Sequence, residues 1–202
     1  MASWVEITKL GDMNATMPVF ASCLAWLLKD RAWRMAFWWC FFFLGGLALV
    51  AATKIAFAGW GIGIRSLDFT GFSGHAMRAT AIMPVFLYLI LNKSTPTVRN
   101  IGVVLGLLFG LLITVSRLVV HAHSVSEAIS GFVLGAIVGI GFIRIARQLA
   151  NPTFNAWLVA LSLFALTASP AAKPAPTETW VGKISVHLSG RDRPFTRSDW
   201  HG

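Results

Sequence analysis

Charge is scarce in this chain. Only 12% of its 202 residues are Asp, Glu, Lys or Arg, while 56% are hydrophobic, nine are Trp and fifteen are Phe. Soluble domains carry roughly 25% charged residues, so the composition excludes an ordinary water-soluble fold and indicates a membrane protein. Acid is scarcer still, with eight Asp and Glu against seventeen Lys and Arg, a formal net charge of +9. The basic residues are scattered through loops between apolar runs and leave no soluble basic face, so no nucleic-acid partner is expected. Cysteine is nearly absent: Cys23 and Cys40 fall inside the first two apolar runs, where a thiol is a packing residue. The opening "MASWVEITKLGD" lacks a basic n-region and a small-residue cleavage site. It reads as an interfacial helix anchored by Trp4, not as a signal peptide.

What the chain does have is long apolar runs. Crossing the hydrocarbon core takes about 20 mostly apolar helical residues, fewer where flanking groups snorkel or the bilayer thins. Six stretches qualify, at about residues 13–28, 35–57, 76–91, 101–120, 125–143 and 154–169. The expected fold is an all-α integral membrane bundle of about six transmembrane helices, residues 1–170, followed by an extramembrane C-terminal tail, residues 171–202. "SPAAKPAPTETW" at the start of that tail is rich in Pro and Ala and breaks any helix. The final segment mixes aromatics with charge and reads as a membrane-surface segment, with a solvated tail or a substrate gate as its two uses.

Orientation follows from loop charge. Lys29, Arg31 and Arg34 follow span one, Lys93 and Arg99 span three, Arg144 and Arg147 span five. Basic loops stay in the cytoplasm, so the other ends of the spans face outward. Hairpin alternation then gathers the polar residues. Lys54 ends span two, Phe72-Ser73-Gly74-His75 opens span three, Ser116-Arg117 lies near the end of span four, and His123 and Glu127 open span five. Ionisable groups near membrane depth are costly and usually serve a function or one another. All of these fall at the outward end, and a single site can contain them.

The chemistry of that site is narrowed by its shortage of carboxylates. Metal-dependent hydrolysis needs clustered carboxylates and histidines, yet only Asp68 and Glu127 lie on this face outside the termini. No metal or other cofactor is expected, and imidazoles two apart on a helix diverge, which argues against a haem or metal site on His121 and His123. What is present suits an anion: Lys54 and Arg117 supply charge, Arg as a fork for phosphate oxygens. The start of span three offers unpaired backbone N–H groups beside Gly74, and Ser73 adds a hydroxyl. His123 and Glu127 are four apart and share a helical face, so the carboxylate can hold one ring nitrogen and leave the other free. Ser124 to Glu127 also fits the S-x-x-E capping box of a helix start.

This combination resembles the type 2 phosphatidic acid phosphatase superfamily, which includes membrane lipid-phosphate phosphatases and, more distantly, vanadium haloperoxidases. Ser116-Arg117, five residues, His123, three residues and Glu127 match the family's third motif, with Glu for Asp. Ser73-Gly74-His75 matches its second, with Phe72 for Pro. The first motif departs most: Lys54 is followed by ten residues before Arg65, and no Arg-Pro occurs. The resemblance implies that His123 is the nucleophile, Glu127 its orienter and His75 the acid and base. It implies that Lys54, Ser73, Gly74, Arg117 and Arg65 bind phosphate. Arg78, one turn below His75, and Asp68 are secondary candidates.

The function expected is a metal-independent membrane phosphatase acting through a phosphohistidine. Its substrate would be a lipid phosphate or diphosphate: polyprenyl diphosphate, phosphatidic acid, phosphatidylglycerol phosphate or a lipid A phosphate. The setting expected is a bacterial inner membrane with the site facing the periplasm. The alternatives are a lipid-to-lipid phosphotransferase using the same site and a non-catalytic anionic-lipid transporter or binding protein. The partners expected are the bilayer and the lipid; the oligomeric state is left open.

Overall fold

The computed structural model describes residues 2–149 and 176–200. Six α-helices come first: α1 Ala2–Lys9, α2 Met13–Lys29, α3 Trp33–Trp60, α4 Gly74–Ile90, α5 Pro96–Val119 and α6 Val125–Ala146. Helix α7 Thr177–Ser189 follows, and short 3-10 turns span Arg65–Leu67 and Arg197–Trp200. Among the described residues there is no strand, only one isolated bridge between Ile64 and Phe69. The expected all-α class holds. Five of the six expected spans coincide with α2 to α6, and the sixth, 154–169, lies outside the described residues.

Helix ends are set by local chemistry. The Asp12 carboxylate accepts from Asn14 N at 2.9 Å and caps α2. Ser73 caps α4, and Thr95 caps α5 ahead of Pro96 in its first turn. Ser124 and Glu127 form a full capping box on α6. Gly61 takes a left-handed φ of 71° and ends α3.

Length separates the helices. Helices α3, α5 and α6 are long and apolar enough to cross a membrane, at about 42, 36 and 33 Å by helical rise. Helices α2 and α4 have 17 residues each, about 25 Å. Val104, Leu105, Leu108, Leu111 and Leu112 stay exposed on the outer face of α5, the pattern of a surface that meets lipid instead of water.

Helix α4 is the buried centre, held between α5 and α6. Two glycine ladders with four-residue spacing allow this: Gly102, Gly106 and Gly110 on α5, and Gly131, Gly135 and Gly139 on α6. A Cβ on Gly106 would stand 2.4 Å from Pro84 N, and one on Gly135 would stand 2.5 Å from Met77 O. Both distances are impossible, so the backbones touch because nothing intervenes. At the far end from the polar residues, Trp26, Trp39, Phe43, Phe86 and Phe142 are fully buried, and Phe20 stacks on Phe43 with centroids 4.3 Å apart.

The C-terminal segment is not a free tail. Helix α7 packs along α3, Phe195 N donates to Ala58 O at 2.7 Å, and the Phe195 and Trp200 rings stand edge-on to Phe57.

Candidate active site

The end of α3, the starts of α4 and α6 and the end of α5 meet at one end of the bundle, as hairpin alternation requires. Two cavities open there. The first, of about 450 Å³, is lined by Lys54, Arg117, His123 and Glu127 together with Glu178, Phe195 and Arg197. The second, of about 300 Å³, is mostly apolar; Lys54, His75, Arg78 and His123 form its polar corner, against Val50, Trp180 and Ile184. Lys54, His123, Glu178 and Val181 belong to both walls.

His123 and Glu127 do pair, with His123 Nδ1 2.9 Å from Glu127 Oε2, but His123 lies just before the Ser124 cap of α6 and not on a shared helical face. The carboxylate is only 1% exposed, yet it is thoroughly hydrogen-bonded. Oε2 also accepts from Ser124 N at 3.2 Å. Oε1 accepts from Thr70 N at 2.9 Å and from the Thr70 hydroxyl, and meets Arg197 Nη2 at 2.7 Å. A buried anion persists when its oxygens are satisfied in this way. The capping box and the His123 contact therefore coexist on one carboxylate. Burial lowers the His123 pKa below its ordinary value and outweighs the hydrogen bond to Glu127, while Lys54 and Arg117 push in the same direction as burial. Its Nε2 is left as the nitrogen that could attack.

His75, on the first turn of α4, has a partner that the sequence did not suggest: Asp12 Oδ2 lies 3.5 Å from His75 Nε2. Burial alone would raise the Asp12 pKa, but the His75 and Asn14 hydrogen bonds and the charges of His75 and Arg78 hold it at about 2. Asp12 is thus a fixed anion beside His75. The visible signal was its place as a cap before an apolar run.

The expected phosphate ligands divide. Lys54 is at the centre, but its Nζ is 2.5 Å from Glu178 Oε1. Arg117 lines the first cavity and donates to Thr8 Oγ1 at 3.1 Å, while its Nε has no partner. Gly74 lines the second cavity. Ser73 departs from expectation: it is fully buried, lines neither cavity, and its hydroxyl caps α4 by accepting from Ala76 N at 3.5 Å. Its backbone N–H donates to Glu127 O at 3.1 Å. Arg65 also departs, since it is exposed on its 3-10 turn and lines neither cavity. The ten residues after Lys54 carry it past the site.

Arg78 is buried and held by Thr16 Oγ1 at 3.1 Å and Gly11 O at 3.2 Å, which ties the α1–α2 loop to α4. Asp68 is exposed and faces Arg197 Nε at 3.2 Å. His121 is exposed with a φ of 53° and lines neither cavity. Cys23 is buried and Cys40 half-buried, and neither is in a disulfide.

Residues 63–150 match the PAP2 superfamily, the type 2 phosphatidic acid phosphatases. That stretch holds the second and third motifs and leaves Lys54 before it. A Klebsiella pneumoniae protein described as "Uncharacterized 22.5 kDa protein in cps region" is 35% identical over 204 residues, covering 98% of each chain. No solved structure matches. With its His–Glu pair at the start of α6, Ser-Gly-His at the start of α4, the family match across both and a relative 35% identical over nearly its whole length, the chain belongs to the PAP2 superfamily, whose members are generally phosphatases.

Proposed function

We propose that this protein is an integral-membrane phosphatase that removes phosphate from a lipid phosphate or diphosphate. The observation that carries this reading is the meeting of a cationic cavity and an apolar one across Lys54 and His123. A phosphate can face Lys54 and Arg117 while the first carbons of an acyl or prenyl chain rest against Val50, Trp180 and Ile184. A water-soluble phosphate ester has no use for the second cavity.

His123 Nε2 attacks phosphorus while Glu127 holds the Nδ1 proton and stabilises the charge that develops on the ring. The bond from phosphorus to the lipid-side oxygen breaks, and His75, held beside Asp12, passes a proton to that oxygen. Water then gives a proton to His75, its oxygen bonds to phosphorus, the P–N bond breaks, and inorganic phosphate leaves. Lys54 and Arg117 offset the charge on the phosphoryl oxygens throughout, and no step requires a metal. The charge of the loops supports an outward-facing site, periplasmic in a bacterial inner membrane. Polyprenyl diphosphate, phosphatidic acid, phosphatidylglycerol phosphate and lipid A phosphates all fit this description.

The test is phosphate release from these lipids in detergent without added metal. The expected result is turnover by the parent protein and a loss of about a thousandfold or more in both His75→Ala and His123→Ala. Equal activity in the parent and both variants would overturn the reading. Release that occurs only with an added acceptor lipid would make the protein a phosphotransferase.

A further inference from the structure

The family places Asp where this chain has Glu127, and the additional methylene lets the carboxylate move by about an ångström, enough to misalign a catalytic group. Something must hold it in place. On the Oε2 side the partners are local, His123 and Ser124. On the Oε1 side they come from elsewhere: Thr70 from the α3–α4 loop, and Arg197, seventy positions downstream.

Arg197 is itself firmly seated. Asp199 braces its turn by pairing with Arg193, at 2.5 and 3.1 Å, and by accepting from Thr196 N at 2.7 Å. Phe195 and Trp200, on either side of that turn, are fastened to α3 at Phe57 and Ala58. The guanidinium pairs with Glu127 through Nη2, while its Nε lies 3.2 Å from Asp68 Oδ1 without forming a hydrogen bond. Arg197 lines the first cavity, but its Nη2 is committed to the Glu127 carboxylate.

The geometry points to Arg197 as a positioning residue of the nucleophile: it clamps Glu127 and, through Glu127, fixes the ring of His123. The inference rests on the phosphatase reading above. The C-terminal segment is therefore part of the working site. The clamp has an electrostatic consequence as well. The charged and titratable groups that line the cavities with His123 are Lys54 on α3, His75 and Arg78 on α4, Arg117 on α5, Glu127 on α6, Glu178 on α7 and Arg197 itself. Removing Arg197 takes one positive charge from the far side of Glu127. The carboxylate then draws a proton onto His123 more strongly, and the histidine titrates at higher pH.

The experiment uses the full chain in detergent, comparing the parent with Arg197→Ala and Arg197→Lys on one lipid phosphate. In Arg197→Ala, kcat falls about tenfold or more with KM within about twofold, and the acid limb of the kcat profile moves to higher pH. Arg197→Lys, which keeps the charge without the fork, recovers part of kcat. Arg197→Gln replaces the alanine variant if that variant does not fold, with the same kinetic result expected. Parental kinetics, or a rise in KM at constant kcat, overturns the inference; the latter marks a phosphate ligand. NMR titration of His123 in the free protein needs no turnover, so it keeps the two readings apart. An upward shift in the Arg197 variant supports the clamp even if no lipid is hydrolysed, and an unchanged titration overturns it even if the parent is active.

Discussion

Asp12 performs two tasks with one carboxylate. One oxygen caps α2 and the other faces His75, so an anion sits beside the group proposed to supply a proton. Asn is as good a helix cap as Asp, which allows the two tasks to be separated. In Asp12→Asn the helix start is preserved while the charge beside His75 is lost, so protonated His75 is destabilised. The expected outcome is a fall in kcat of about tenfold, with the basic limb of the pH–rate profile displaced to lower pH and little change in thermal unfolding. A stability loss with an unmoved basic limb would make Asp12 only a cap. Asp12 was discounted in the sequence as a terminal carboxylate, whereas His123 and Glu127 could be paired on spacing alone. The difference is distance along the chain: residues four apart across a helix start stay neighbours, and residues sixty-three apart need not.

At the scale of the element, α7 is the part that the sequence described least well. It belongs to a final segment that mixes aromatics with charge after a Pro-rich stretch, which suggested a membrane-surface segment, yet it lies along α3 and supplies Trp180, Val181 and Ile184 to the apolar cavity. Its Glu178 occupies Lys54. Burial would raise the Glu178 pKa, but the charge of Lys54 and the hydrogen bond to it lower it further, so the carboxylate stays ionised where a phosphate oxygen would otherwise sit. In the proposed reaction, substrate displaces it. Glu178→Gln should therefore lower the apparent KM for a lipid phosphate about two- to fivefold, the range of an exposed ion pair, and strengthen inhibition by inorganic phosphate to match. Steady-state assays at several phosphate concentrations check both, and an unchanged KM would mean that Lys54 is free to bind substrate with Glu178 in place.

At the scale of the whole molecule, the site depends on how closely three helices approach. His75 rides on α4, Arg117 on α5 and His123 just before α6, and the two glycine ladders keep α4 between the others. Gly106→Ala introduces a methyl against the backbone of Pro84. The helices must move apart, at a cost of roughly 1–3 kcal/mol, and phosphate release should fall with the loss of thermal stability. Gly45→Ala is the control, because nothing lies within 4 Å of its added methyl. It should be neutral or slightly stabilising in the same unfolding measurement. The ladders repeat every four residues in the sequence, but nothing local says which helix they face.

The sequence by itself determined the class of molecule, its apolar helices, the end at which the polar groups gather, and the pairing of His123 with Glu127. The first three follow from composition and the length of apolar runs, and the pairing from a separation of only four residues across the start of α6. Only the tertiary structure decided that Arg65 stays outside while Arg197 meets Glu127, and that Asp12 and Glu178 face His75 and Lys54. Those contacts join residues from about sixty to more than a hundred positions apart, and no local periodicity encodes them. They form because burying the α4 surface brings the helix ends together, and the loops and tail at that end pair the charges exposed there.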